Sequence, residues 1–241
     1  MKSKLLFFVI PLLLIVFIPV IHFGKNQLTY SSNIVDVSWP NCSSKNNVIY
    51  NQGIIGVTGG LNFHQNPCLS KELTWFSGYD LYMNTGYPGN TLGIRYISSP
   101  LACVSTDSIC LAYNYGYNAA KYALKYADLN NAHSLNWWLD VESDNSWSSD
   151  INVNRASLNG AKDALVKYGV FIKIGYYSYP GQWNLITGNW HNNAPAWIAT
   201  GSLQKRIAIR ACSSKSFNFG KTIFAQYTDK IDINILCSSK F

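Results

Sequence analysis

Charge, histidine and the short motifs of nucleotide and metal chemistry are all scarce in this chain of 241 residues. Only 13% of it is Asp, Glu, Lys or Arg, and long helical stretches of Glu and Lys are missing. No G-x-G-x-x-G turn and no Walker loop occurs, which argues against dinucleotide and P-loop binding. A G-x-S-x-G elbow is absent too, so a serine esterase of that type is excluded. His64, His133 and His191 stand apart from one another, and none of the six cysteines forms a C-x-x-C pair. That leaves no metal site and no cofactor to expect. The formal charge of +7 is spread thinly, without the basic stripe or helix that a nucleic-acid binder concentrates. A diffuse positive charge fits weak attraction to an anionic surface, or mere solubility.

What is present is apolar and aromatic. Apolar residues make up 48% of the chain, which suits one globular domain rather than disorder. Lys2 and Lys4 precede an unbroken apolar run from Leu5 to Ile21, close to the ~20 residues of a membrane span. No small-x-small cleavage site follows it. Residues 1–25 therefore read as a signal anchor or, less favoured, a cleaved signal peptide, with the body of the protein facing outward. Residues 26–33 read as a short polar stalk, and residues 34–241 as the exported domain. The cysteines agree with an oxidising compartment. Order along the chain suggests the pairs Cys42–Cys68, Cys103–Cys110 and Cys212–Cys237 among the 15 possible.

Short apolar runs alternate with helical patterns. Strands are expected at 34–39, 53–58, 80–84, 137–142, 170–177, 196–199, 207–210 and 223–227. Helices are expected at 69–76, 112–129 and 152–168, the last closed by Gly169, with a short one beginning near Gln182. Strands and helices alternating through one domain predict βα units, and this number of strands favours a closed (β/α) TIM-like barrel over an open sheet.

The informative stretch is Trp137-Trp138-Leu139-Asp140-Val141-Glu142. In a strand, Asp140 and Glu142 share a face at about 7 Å between Cα atoms. Burial and like-charge repulsion push the two carboxyl pKa values apart, leaving one acid protonated and the other ionised. Glycoside hydrolysis needs that combination. Asp36, in Ile34-Val35-Asp36-Val37-Ser38-Trp39, lies on the face opposite its valines. In a barrel, the C-terminal ends of different strands converge, so Asp36, Asp140 and Glu142 can meet. The plain alternative is that each acid caps a helix or pairs with an arginine.

On these residues the chain resembles the family 25 glycoside hydrolases. Asp-Val-Ser at 36–38, Leu-Asp-Val-Glu at 139–142 and Ile174-Gly175-Tyr176-Tyr177-Ser178 look like that family's successive strand motifs. Ala196-Trp197-Ile198-Ala199, Gln226-Tyr227-Thr228 and Asp232-Ile233-Asn234 continue them in the same order. The resemblance implies an irregular β/α barrel with disulfide-stapled loops, acting as a muramidase on the β-1,4 bonds of peptidoglycan. Glu142 would be the general acid, Asp140 the carboxylate assisting charge development and Asp36 the acid that orients the site. Tyr177, Trp197, Gln226, Asp232, Trp138 and Asn84 would contact the sugar, through aromatic faces and polar groups. The covalent and the substrate-assisted course both stay open. Val57–Phe63 and Tyr82–Gly86 depart from the hydrolase pattern and look closer to a divergent group of exported bacterial proteins with a hydrolase-like domain. Trp147 and the Asp144-Asn145-Ser146 turn read equally as groove residues or as a helix lead-in. The expected partner is cell-wall polysaccharide, met by a monomer outside the cell or tethered to its membrane. The alternative function is glycan binding on the same barrel without catalysis, because fold does not fix chemistry.

Overall fold

The computed structural model describes residues 29–44 and 48–238. The expected membrane segment, residues 1–25, lies outside the described residues, and among those described no helix is long and apolar enough to cross a membrane.

Eight strands close into one barrel in sequence order. They are β1 (Thr29–Val37), β2 (Val48–Gly56), β3 (Tyr79–Asn84), β4 (Asn136–Asp140), β5 (Lys173–Ser178), β6 (Ala196–Ala199), β7 (Thr222–Asp229) and β8 (Ile231–Leu236). The helices are α1 (Leu69–Leu73), α2 (Asn90–Gly93), α3 (Ser108–Leu129), α4 (Ile151–Tyr168), α5 (Pro180–Thr187) and α6 (Lys205–Cys212). Strands β1 to β7 run parallel, whereas β8 is antiparallel to both β7 and β1.

Three expectations change. The stalk gives way at Thr29, where β1 already begins and pairs with β2, with a register shift between Ser31 and Ile34. Residues 207–210 are not a strand: they lie inside α6, with Ala208 buried beneath an exposed Lys205, Arg206 and Arg210. Their place in the barrel is taken by β8, whose Ile231, Ile233 and Ile235 alternate with Asp232 and Asn234. The three disulfides join Cys42 to Cys68, Cys103 to Cys110 and Cys212 to Cys237, as chain order suggests.

Strand alternation sorts the core into two compartments. Outward residues such as Val35, Ile55, Leu81, Leu139 and Ile198 pack against the alanine-rich faces of α3 and α4 and against Trp183 of α5. Inward, Ile54, Trp138, Trp197 and Phe224 fill the barrel. Gly175 makes room for that filling, since a Cβ there would come within 2.3 Å of the Trp138 ring. Helices α3 and α4 start on Asp107 and Asp150, whose side chains accept from the main-chain N–H groups of Cys110 and Asn152. They cross at two glycines, each needed for the closeness of the other helix. A Cβ on Gly116 would lie 1.9 Å from the Ser157 carbonyl oxygen, and one on Gly160 would lie 2.0 Å from that of Tyr113.

Candidate active site

The parallel strands deliver their last inward residues to one mouth, and β8 begins there. Asp36 comes from the end of β1, Asp140 from the end of β4, Glu142 from two residues beyond it, and Asp232 from the start of β8 opposite Asp36. Asp36 feels the charges of Asp232 and Glu142, and Glu142 in turn interacts with Asp140 and Asp232, so Glu142 links the four. The single ion pair among the described residues, Lys162 with Asp163, is on the outside of α4. Neutral donors alone hold the acids in place.

Asp36 accepts from Gln226 Nε2 at 3.1 and 3.0 Å and from Asn234 Nδ2 at 2.7 Å. Burial, followed by the negative charge of Asp232, nevertheless pushes its pKa up to about 7. Asp140 is 2% exposed. One of its oxygens accepts from Asn84 Nδ2, and Asn84 is itself fixed by Thr58, whose hydroxyl donates to Asn84 Oδ1 and accepts from the Asn84 N–H, both at 2.8 Å. The other oxygen is buried without a well-formed hydrogen bond and interacts with the carboxyl of Glu142. Burial first and Glu142 second raise the Asp140 pKa well above the ordinary carboxylate range. Glu142 is half-buried and also raised, by burial and then by Asp144, while its interactions with Asp140 and the Tyr177 hydroxyl oppose the shift. The proton therefore resides preferentially on Asp140, with Glu142 accepting from it.

The backbone at this point is tied down. The Trp147 indole donates to the Glu142 carbonyl at 2.8 Å, the Ser178 hydroxyl to the Val141 carbonyl at 2.7 Å and the Thr85 hydroxyl to the Asp140 carbonyl at 2.5 Å. Trp147 is thus a positioning residue for Glu142. Tyr177 donates to Gln226 Oε1 at 2.9 Å, which links β5 through Gln226 to Asp36. Tyr82 of β3, which sequence reasoning passes over as a site residue, also faces the acids and accepts from Ser38. Its signal was the inward series Asp80, Tyr82, Asn84 along one strand.

Three expected sugar contacts, Trp138, Trp197 and Asn84, lie buried. Trp138 is fully buried and donates to Asp80 Oδ2 at 3.1 Å, and Trp197 is 1% exposed and donates to Asn234 Oδ1 at 2.7 Å. Both are the floor beneath the acids and offer no free face. The Tyr177 ring lies 4.3 Å from that of Trp197 and forms the top of this floor. Asn84 is buried and serves Asp140. Open aromatic faces come instead from Trp39 and Tyr179, 49% and 45% exposed, in the loops leaving β1 and β5. A cavity of about 190 Å³ beside the mouth is bounded by Asn62, His64, Thr85 and Asn145.

This arrangement can be set beside solved structures. The Cpl-1 endolysin, crystallised with a peptidoglycan analogue, superposes with a TM-score of 0.53 at 18% identity, covering 85% of this chain and 53% of the endolysin. The chain thus spans about half of that protein's length. GHIP, a glycosyl hydrolase 25 of Streptococcus pneumoniae that participates in host cell invasion, gives 0.51 at 16% identity, covering 85% of this chain and 86% of GHIP. The fold is that of the family 25 glycoside hydrolases. A family model described as Lysozyme-like protein 1 matches residues 108–220, from the start of α3 to just before β7. No curated protein matches the chain in sequence.

Proposed function

We propose that the protein is an exported cell-wall glycan hydrolase that cleaves a β-1,4 bond of peptidoglycan, with Glu142 as general acid. The observation that carries this reading is the group of four carboxylates at the barrel mouth, with Asp36 and Asp140 held by amides, Asp232 by the Thr228 hydroxyl, and none in an ion pair among the described residues. Glu72 and Asp80 are also buried and raised without an ion pair, but each stands alone; acids that crowd together at a mouth mark a site of proton chemistry. The family 25 fold and the match to a lysozyme-like family support the same substrate class. Three disulfides fit an oxidising compartment.

Breaking a glycosidic bond requires a proton on the leaving oxygen and negative charge near the anomeric carbon. Glu142 is the more open member of its pair, and its raised pKa keeps a protonated fraction available at mildly acidic pH. Asp140, beneath it, stabilises the Glu142 carboxylate by hydrogen bonding once the proton has left. That carboxylate then takes a proton from the incoming water. Asp232 supplies negative potential across the mouth, and Asp36, aligned by Gln226 and Asn234, adds to it only as it ionises near neutral pH. Trp39 and Tyr179 offer flat faces for pyranose rings, while Tyr177 and Gln226 hold each other and Asp36 in place beneath them.

Reducing-sugar release from purified peptidoglycan, followed from pH 4 to 8, tests this. The native protein is expected to release sugar, with activity declining as Glu142 deprotonates. Glu142→Gln is expected to lose roughly 10²–10⁴-fold of that rate while keeping its melting temperature. Equal release by the variant refutes the role of Glu142. Wall binding with no release by either protein establishes glycan binding without catalysis.

A further inference from the structure

The pole of the barrel opposite the acids carries a surface that hydrolysis does not use. An open cleft of about 710 Å³ lies there between the end of α3 and the loop joining α4 to β5, lined by Leu124, Ala127, Leu135, Trp137 and Ile172 among others. Around it Leu129, Leu135, Val170 and Phe171 are 69%, 59%, 73% and 87% exposed. Phe171 adopts a φ of 57°, a left-handed backbone that bulky side chains rarely take. A costly conformation thus presents an aromatic ring to solvent, which marks a functional surface better than a scattered exposed leucine does.

The charge around this patch has one dominant sign. Lys121, Lys125, Lys167 and Lys173 are all exposed, and none forms an ion pair among the described residues. Lys121 and Lys167 lie over the Tyr168 ring at 5.1 and 5.6 Å. Asp128 is the one carboxylate lining the cleft. Apolar side chains ringed by lysines suit the boundary between phosphates and acyl chains, where the ring and the aliphatic groups enter and the ammonium groups stay at the phosphates.

The path of the chain points the same way. Strand β1 enters the barrel at this pole, at Thr29, and the apolar run Leu5 to Ile21 precedes it in sequence. The seven residues between, 22–28, span at most about 25 Å when extended. A run embedded in a bilayer would hold this pole within reach of the lipid surface.

We propose that this face docks on an anionic lipid bilayer, with Val170 and Phe171 entering the headgroup boundary, the four lysines on lipid phosphates and the acidic mouth turned away. The inference is independent of the hydrolase reading. Hydrogen exchange on the full chain tests it in three settings: nanodiscs containing phosphatidylglycerol, nanodiscs of phosphatidylcholine alone, and detergent micelles. The N-terminal run is accommodated in all three, so a difference reports the face. Amides of residues 129–136 and 169–173 are expected to exchange at least about fivefold more slowly on the anionic discs, and to recover in 0.5 M salt. The Val170→Ser/Phe171→Asp variant is expected to abolish the slowing at 129–136 while amides in the centre of α3 keep their protection. Equal exchange in all three settings overturns the proposal. So does equal slowing in micelles, which would mean that a second copy covers the face.

Discussion

At the scale of the residue, Asp36 connects function to stability. Its pKa is about 7 in the folded protein, against 3.8 as the ordinary value. The folded state therefore binds more protons than the unfolded state between about pH 4 and 7, and stability falls as pH rises through that window. Asp140 and Glu142, also raised, act in the same direction. The melting temperature is expected to be higher at pH 5 than at pH 8, and Asp36→Asn should flatten part of that slope. Calorimetric melts of both proteins at the two pH values check this, and parallel slopes would contradict it. The acids themselves were legible in the sequence, because carboxylates at alternate positions after apolar runs are costly to bury unless protonated or well hydrogen-bonded, which draws the eye to them. The tryptophans were not. The alternation that brings Asp140 to the mouth also turns Trp138, two residues earlier, into the barrel one layer down, so an aromatic near an acid in sequence becomes its floor. Thr58 and Tyr82 escaped notice as site residues because a lone hydroxyl or phenol carries no motif. Trp147 stood between two readings until its indole was seen to hold the Glu142 carbonyl.

At the scale of the element, the crossing of α3 and α4 is the tightest contact in the helical layer. Gly116 and Gly160 each face a carbonyl of the other helix, and neither carbonyl can move without breaking its own helix. Gly160→Ala should cost roughly 2–3 kcal/mol and lower the melting temperature by about 5–10 °C, measurable by thermal unfolding. Long elements with a clear period, α3 and α4, were readable to within a few residues, as were the buried strands β3 and β6. The segment 207–210 was not, because four residues of alternating Ile and small or basic residues satisfy a period of two as well as one of 3.6. Its helix is decided by the turn before it and by burial of Ala208. β8 escaped the periodicity, and only the Asp232-Ile233-Asn234 motif marked it, because Asp232 and Asn234 give the segment the look of a loop.

At the scale of the whole molecule, the chain closes on itself. Cys212 at the end of α6 is bonded to Cys237, just past β8, across a separation of 25 residues. Replacing both by serine should lower stability by about 3 kcal/mol. An unchanged denaturation midpoint would show that β8 holds without the link. Closure also sets an order of events. Asp36 stands on the first strand, yet its partners Gln226 and Asn234 lie 190 and 198 residues further along. Contacts so distant form late in folding, because the loop between them must first be ordered. A chain halted before residue 231 would own Asp36, Asp140 and Glu142 but have neither a finished barrel nor the full set of amides that aims the first of them. The arrangement of acids at the mouth therefore arrives in one step, with the last strand, and a chain still being made does not yet own it.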